Sequence, residues 1–183
     1  MQRIFLIGFM GAGKTTLGKA LARRMGLSYI DTDHFIENRY RKKVSDIFAC
    51  EGEDKFRDLE HRVICEIAEF ENVVVSSGGG LPCFYDNMKV MNQAGLTVYL
   101  EVSVDELATR LTLSKTARPV LQGRQGTELT SFITESLRKR SVFYKQAKLS
   151  LDANLMATKG DISTLIDHLE RQVNNYFVSL SLH

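Results

Sequence analysis

Gly8-Phe9-Met10-Gly11-Ala12-Gly13-Lys14-Thr15 follows directly on Ile4-Phe5-Leu6-Ile7, and this stretch constrains the fold more tightly than any other. The octet satisfies G-x-x-x-x-G-K-S/T at every position, the pattern of a loop that wraps a polyphosphate. Its glycines let the chain turn sharply and aim bare N–H groups inward. The Lys14 ammonium can then reach the outer phosphates, and the Thr15 hydroxyl can take one position on Mg2+. The apolar residues before the octet read as a strand and Lys14–Met25 as a helix, whose N-terminal dipole end points at the anion. A glycine string can also be a plain turn, but a strand before it and an amphipathic helix after it are the context that phosphate binding demands.

Past that loop, short apolar runs alternate with longer amphipathic ones, the signature of βαβ units and a parallel sheet. Strands are expected at Arg3–Ile7, Ser28–Ile30, Val73–Ser76, Thr97–Glu101 and Lys148–Leu151. Helices are expected at Lys14–Met25, Asp33–Tyr40, Glu53–Glu69, Tyr85–Ala94, Val104–Leu113, Thr127–Gln146 and Asp161–Tyr176. Val73-Val74-Val75 is apolar without alternation, as befits a central strand covered on both faces. The fold class is therefore α/β, with a short central parallel sheet of about five strands. At 183 residues, with no repeat, low-complexity tract or linker-like stretch, the chain reads as a single domain over 1–183. The weakly periodic stretch from Leu113 to Gln125 reads as a long loop, and such loops inside compact domains usually serve function.

Composition excludes more than it identifies. The formal net charge is +2, too small to argue for nucleic acid or a membrane surface as partner. No apolar run approaches a membrane span, and the first strand begins too early to leave room for a signal peptide. Cys50, Cys65 and Cys83 are odd in number and widely spaced, without a C-x-x-C pair. They read as small buried or half-buried apolar residues in a reducing, cytoplasmic setting rather than as disulfides or zinc ligands.

The remaining polar signals fall at strand and helix ends. Asp31-Thr32-Asp33 follows the second strand, and in a parallel sheet the strand C-termini share one crevice. One carboxylate can hold Mg2+ through a water while the other orients or deprotonates an attacking hydroxyl; helix N-capping is the local alternative. Ser77-Gly78-Gly79-Gly80 ends the third strand where a nucleotide hydrolase would carry a metal-binding Asp. That makes Asp31 the better metal-side carboxylate, and the bare glycine N–H groups suit a small polar ligand. Arg57, near Glu60 on a helix, is a solvated charge or a carboxylate clamp. Arg138, Lys139 and Arg140 form a run among which sequence physics does not choose. Arg118-Pro119 is a lid over the phosphates or ordinary surface.

Together these residues resemble the shikimate kinases, within the nucleoside monophosphate kinase-like branch of P-loop proteins. The shared segments are Gly8 to Thr16, Asp31-Thr32-Asp33, Phe56-Arg57 with Glu60, Gly78-Gly79-Gly80, Arg118-Pro119, and Arg140 four residues before Tyr144. The resemblance implies a three-layer α/β/α fold with a mobile lid at about 113–125 and an acceptor-binding region at about 33–60. It implies ATP-dependent, Mg2+-assisted phosphorylation of the 3-hydroxyl of shikimate by a cytoplasmic monomer, a step toward the aromatic amino acids.

By position, Gly11, Ala12, Gly13, Lys14, Thr15 and Thr16 would bind ATP, Arg110 would pack on adenine, and Arg118 would close on the phosphates. Asp33 would bind the ring hydroxyls beside the nucleophile. Arg57 and Arg140 would hold the carboxylate, and the Gly79 backbone would add a contact. Thr15 would bind Mg2+ directly and Asp31 through water, with Lys14, Asp33 and Arg118 as the catalytic set. Leu151–Ala157 is assigned no adenine contact. The physical needs agree: a small anion bearing neighbouring hydroxyls requires a guanidinium clamp and a hydroxyl-binding carboxylate. Another small-molecule kinase of the same fold, such as a gluconate kinase, would need no arginine pair, and a non-catalytic ATP-binding module would need neither Asp31 nor Asp33.

Overall fold

The computed structural model describes residues 2–114, 121 and 123–181. Five parallel strands form one sheet: β1 (Arg3–Ile7), β2 (Ser28–Asp31), β3 (Val73–Ser76), β4 (Leu96–Glu101) and β5 (Leu149–Asp152), in the order β2-β3-β1-β4-β5. β1 lies at the centre, with Phe5 opposite Val75 on one side and Thr97 on the other. The chain builds the sheet first to one side of β1 and then to the other. The phosphate loop leaves β1 at that reversal, where open α/β sheets bind ligands.

Among the described residues, seven α-helices cover the sheet: α1 (Lys14–Met25), α2 (Thr32–Tyr40), α3 (Val44–Ile67), α4 (Asn87–Ala94), α5 (Val104–Leu113), α6 (Gly126–Tyr144) and α7 (Lys159–Ser181). β1 shows how the layers are divided, since successive side chains on a strand point to opposite faces. Ile4 and Leu6 join a core with Leu17 and Leu21 of α1, Leu107 of α5 and Ile166 and Leu169 of α7. Phe5 and Ile7 join a second core with Ile36 of α2, Val63 and Ile64 of α3 and Met91 of α4. All four are fully buried, so β1 is apolar without alternation because both faces are covered. The result is three layers, helix on sheet on helix.

The expected strands recur within a residue or so of their bounds, and α1 and α5 span the expected residues. The helix expected from Glu53 instead begins at Val44 and bends at Gly52, whose φ of 82° and ψ of 172° are non-helical. Gly52 interrupts the apolar periodicity, and Ile47 is the one fully buried residue in the stretch before it. That segment therefore carries little sequence signal. The helix expected from Tyr85 starts at Asn87, because Leu81–Cys83 forms a short 3-10 turn and Tyr85 takes a positive φ of 50°. α7 starts two residues early, where Thr158 and Asp161 cap each other: Asp161 N donates to Thr158 Oγ1 at 3.1 Å and Thr158 N to Asp161 Oδ2 at 2.8 Å. Cys50, read as buried or half-buried, is exposed on the solvent side of the first half of α3; Cys65 and Cys83 are half-buried, and all three are free thiols. Among the described residues, no helix is long and apolar enough to cross a membrane.

Candidate active site

The phosphate loop turns through Gly11 and Gly13 at φ 83° and 97°, a region that side chains disfavour. Lys14 folds back along it, its Nζ donating to the carbonyl oxygens of Gly8 at 2.8 Å and Phe9 at 2.9 Å. The Lys14 carbonyl accepts from Ser76 Oγ at 2.9 Å, tying the start of α1 to the end of β3. A cleft of about 320 Å³ opens over the loop, and its lining includes Lys14, Thr15, Asp31, Asp33, Gly79 and Arg110. A larger hollow of about 650 Å³ lies along α6 between Arg124 and Lys139. It contains no part of the phosphate loop or of the carboxylate pair, so the smaller cleft is the candidate site.

Asp31 and Asp33 do different work. Asp31 Oδ1 caps α2, accepting from Asp33 N at 3.1 Å and His34 N at 3.4 Å, while Oδ2 accepts from the Thr15 hydroxyl at 3.3 Å. The capping and cleft-facing readings of this residue therefore hold together, one on each oxygen. Asp33 is freed from capping, and its proton affinity is raised by burial and by the neighbouring Asp31 carboxylate, against the pull of Lys14. Behind the pair, the buried Tyr29 hydroxyl has no hydrogen bond of good geometry among the described residues, although Ser76, Asp31 and Thr15 lie close enough to influence its proton affinity, which burial raises.

The glycines after β3 bring a second cluster to the same edge. Gly78 N donates to Thr32 Oγ1 at 2.8 Å. A methyl placed on Gly78 would stand 2.7 Å from Asp33 Oδ1 and 3.0 Å from Glu60 Oε1, so both carboxylates face this backbone. Arg57 is not a solvated charge: it is buried, with its Nη1 donating to Glu60 Oε2 at 2.6 Å and its Nη2 to Glu53 Oε1 at 2.7 Å. Glu60 is almost wholly enclosed, and burial pushes its carboxyl up to about 7 although Arg57 pulls the other way. Of the basic run on α6, Arg140 turns inward, its guanidinium 5.4 Å from the centre of the Phe9 ring in the phosphate loop; Arg138 and Lys139 instead pair with Glu135 at the surface. One turn further on, the Tyr144 hydroxyl donates to the Gly79 carbonyl at 2.5 Å.

On the nucleotide side, Arg110 bonds Glu106 on its own helix at 2.7 Å, the Ala153 and Asn154 carbonyls at 2.7 and 2.8 Å, and the Gly11 carbonyl at 3.4 Å. The stretch after β5 thus sits against the phosphate loop, and a methyl on Gly13 would stand 2.7 Å from Met156 Sδ. Arg118, and with it most of the lid expected at 113–125, lies outside the described residues.

The family model for shikimate kinase matches residues 10–170. The shikimate kinase of Parabacteroides distasonis is 56% identical over 169 residues, which are 92% of this chain and 98% of the relative. The chain belongs to the shikimate kinase family. The crystal structure of the Bacteroides thetaiotaomicron shikimate kinase superposes with a TM-score of 0.92 at 48% identity, covering 94% of this chain and 98% of that one. The Acinetobacter baumannii shikimate kinase, solved in complex with shikimate, superposes with a TM-score of 0.82 at 30% identity, covering 96% and 94%.

In this chain, Gly11 to Thr16, Asp31, Asp33, Gly79 and Arg110 meet at the C-terminal end of the sheet. Arg57 and Arg140 approach that end from α3 and α6, beside Gly80 and Phe9. Sequence reasoning missed Glu53 and Tyr29, and for the stretch from Ala153 to Met156, to which it assigned no adenine contact, it did not foresee the packing on Arg110 and Gly13. Glu53 had a signal, its spacing of four residues from Arg57 on a helix; the other two are visible only once strands β2 and β5 are set beside the loop. The donors facing the cleft also suit Mg2+, a hard cation that takes oxygen ligands and keeps several waters. Thr15 Oγ1 and Asp31 Oδ2 supply such oxygens 3.3 Å apart.

Proposed function

We propose that the chain phosphorylates the 3-hydroxyl of shikimate with ATP. The observation that best supports this is a buried guanidinium, Arg57, held beside the glycine backbone that lines the phosphate-loop cleft. A kinase for an uncharged acceptor has no use for a desolvated arginine there, and the Acinetobacter relative was solved in complex with shikimate. Arg57 and Arg140 take the ring carboxylate, for which a guanidinium fork has the matching geometry. The Gly79 backbone adds a contact, and Asp33 binds the ring hydroxyls.

The N–H groups from Gly11 to Thr16 and the Lys14 ammonium hold the ATP phosphates, Arg110 shapes the adenine end, and Arg118 closes over the transferring group. Phosphoryl transfer breaks the bond from the γ-phosphorus to the bridging oxygen and forms one to the acceptor oxygen. The hydroxyl proton leaves toward Asp33, whose raised proton affinity suits it to receive it. In a loose transition state most of the acceleration comes from alignment and charge neutralisation, which these residues supply together. Thr15 would hold Mg2+ directly and Asp31 would hold it through water. When bound, the ion neutralises charge developing on the β- and γ-phosphate oxygens.

The reading extends to a cytoplasmic, monomeric enzyme of one domain, with a lid at about 113–125 and an acceptor region at about 33–60. The deciding experiment is ADP release measured with shikimate, gluconate and nucleoside monophosphates offered separately. Turnover with shikimate alone is expected, and phosphorylation of gluconate alone would overturn the reading.

A further inference from the structure

Three aromatic rings surround the Arg57 guanidinium. Two of them, Phe48 at 5.7 Å and Phe56 at 5.4 Å, belong to the packing of the α3 side of the sheet, and their tilted rings contact each other with centres 4.5 Å apart. Phe84 is different. Its ring centre lies 4.1 Å from the Arg57 Cζ, nearer than either, and it joins neither hydrophobic core. A half-buried phenylalanine outside both cores, with a buried cation over its ring, has that cation as a close partner.

The turn that carries Phe84 is built around the same guanidinium. Gly80 opens it, and a methyl on Gly80 would stand 2.7 Å from Arg57 Nη1 and 3.0 Å from Nη2. Bare backbone therefore meets one part of the group and the Phe84 ring another. Leu81-Pro82-Cys83 fixes the distance between them as a 3-10 turn, with Cys83 N donating to Gly80 O at 2.9 Å. The fully buried Asn87 anchors the turn, its Nδ2 donating to the Leu81 carbonyl at 2.8 Å while its Oδ1 accepts from His61 Nδ1 at 2.7 Å. On the far side Tyr85 bonds to Asp58, the residue next to Arg57.

We propose that the Gly80–Phe84 turn is a holder for Arg57 and that Phe84 is the positioning residue that sets its guanidinium plane for the acceptor carboxylate. The glutamates fix the edges of the fork, with Glu53 on Nε and Nη2 and Glu60 on Nη1, while the ring limits rotation out of that plane. A bidentate carboxylate contact depends on that plane. The inference rests on Arg57 taking the acceptor carboxylate.

The test compares Phe84→Leu, Phe84→Tyr and Arg57→Ala by steady-state kinetics in both substrates and by thermal melting. Phe84→Leu is expected to raise KM for shikimate about tenfold, with KM for ATP and kcat within about twofold of the parent, an effect in the range of one stacked cation. Phe84→Tyr, which keeps the aromatic face, is expected to recover most of that loss. A Phe84→Leu enzyme with unchanged KM for shikimate, or one impaired equally toward both substrates, would overturn the holder. If Arg57→Ala raises KM for shikimate while Phe84→Leu does not, the holder alone fails. If Arg57→Ala leaves it unchanged, the acceptor reading fails as well. Should Phe84→Leu not fold, Gly80→Ala carries the same test: its methyl displaces the guanidinium, so KM for shikimate should rise, and an unchanged KM would overturn the proposal.

Discussion

Asp31 turns its two carboxylate oxygens to two different tasks, Oδ1 to the backbone N–H groups of Asp33 and His34 and Oδ2 to the Thr15 hydroxyl. The two can be separated by substitution. Asn caps helices about as well as Asp, so Asp31→Asn should hold the unfolding free energy within about 1 kcal/mol of the parent. It should nevertheless raise several-fold the Mg2+ concentration that gives half-maximal turnover. Asp31→Ala should show both losses. Parental Mg2+ dependence in Asp31→Asn would mean that the carboxylate serves the helix alone.

Tyr144 offers a second separation. It is fully buried, and its hydroxyl is the donor to the Gly79 carbonyl. Tyr144→Phe keeps the ring against Tyr99, whose centre is 5.2 Å away, and removes only that donor. Losing one such part-buried hydrogen bond costs about 0.5–1.5 kcal/mol, measurable by urea unfolding. Because Gly79 is the proposed acceptor contact, KM for shikimate should rise with KM for ATP unchanged. An equal rise in both would place the bond's effect in the fold as a whole.

Much of this arrangement was legible in the chain. The phosphate loop has a strict spacing, and β1 and β3 announced their burial by unbroken apolar runs, because both sheet faces are covered. Asp31 and Asp33 were legible as a pair but not in their division of labour, which depends on where the first turn of α2 points its N–H groups. Arg57 read equally well as surface charge. Its burial is tertiary: Phe48, from before the bend at Gly52, Glu60 and the Gly80–Phe84 turn all close on its guanidinium, and the spacing around Arg57 does not encode that approach. Phe84 carried no signal either, since its value lies in Arg57, a partner distant in sequence.

Glu60 makes a pH prediction with a definite sign. Its carboxyl rises from an ordinary 4.5 to about 7 on folding, by burial. Between those two values the folded protein keeps a proton that the unfolded chain has released. Stability from this group is therefore fully present below the lower value and lost as pH rises through the upper one. Asp33 is shifted in the same direction. One proton corresponds to about 1.4 kcal/mol per pH unit, so the loss is on the order of 3 kcal/mol across the window. Denaturation midpoints at about pH 5 and about pH 8 should differ less in Glu60→Gln than in the parent; identical pH dependence would show that Glu60 does not titrate there.

Arg110 gives the last prediction, on the nucleotide side. Its guanidinium reaches α5, the phosphate loop and the stretch after β5 at once, through Glu106, the Gly11 carbonyl and the carbonyls of Ala153 and Asn154. Lys keeps the charge but cannot reach in three directions, because an ammonium is a compact point on a flexible stem. Arg110→Lys should therefore free the stretch from Ala153 to Met156 while leaving the strands in place. Hydrogen bonds to charged groups contribute about 1.5–3 kcal/mol each, so a stability loss of about 2 kcal/mol is expected once Lys recovers part of them. The loosened stretch lies beside Gly11 and Gly13, and binding of a non-hydrolysable ATP analogue by calorimetry should weaken about tenfold, with shikimate binding unchanged. A variant that loses shikimate affinity instead would put Arg110 in communication with the acceptor side, across the phosphate loop rather than along it.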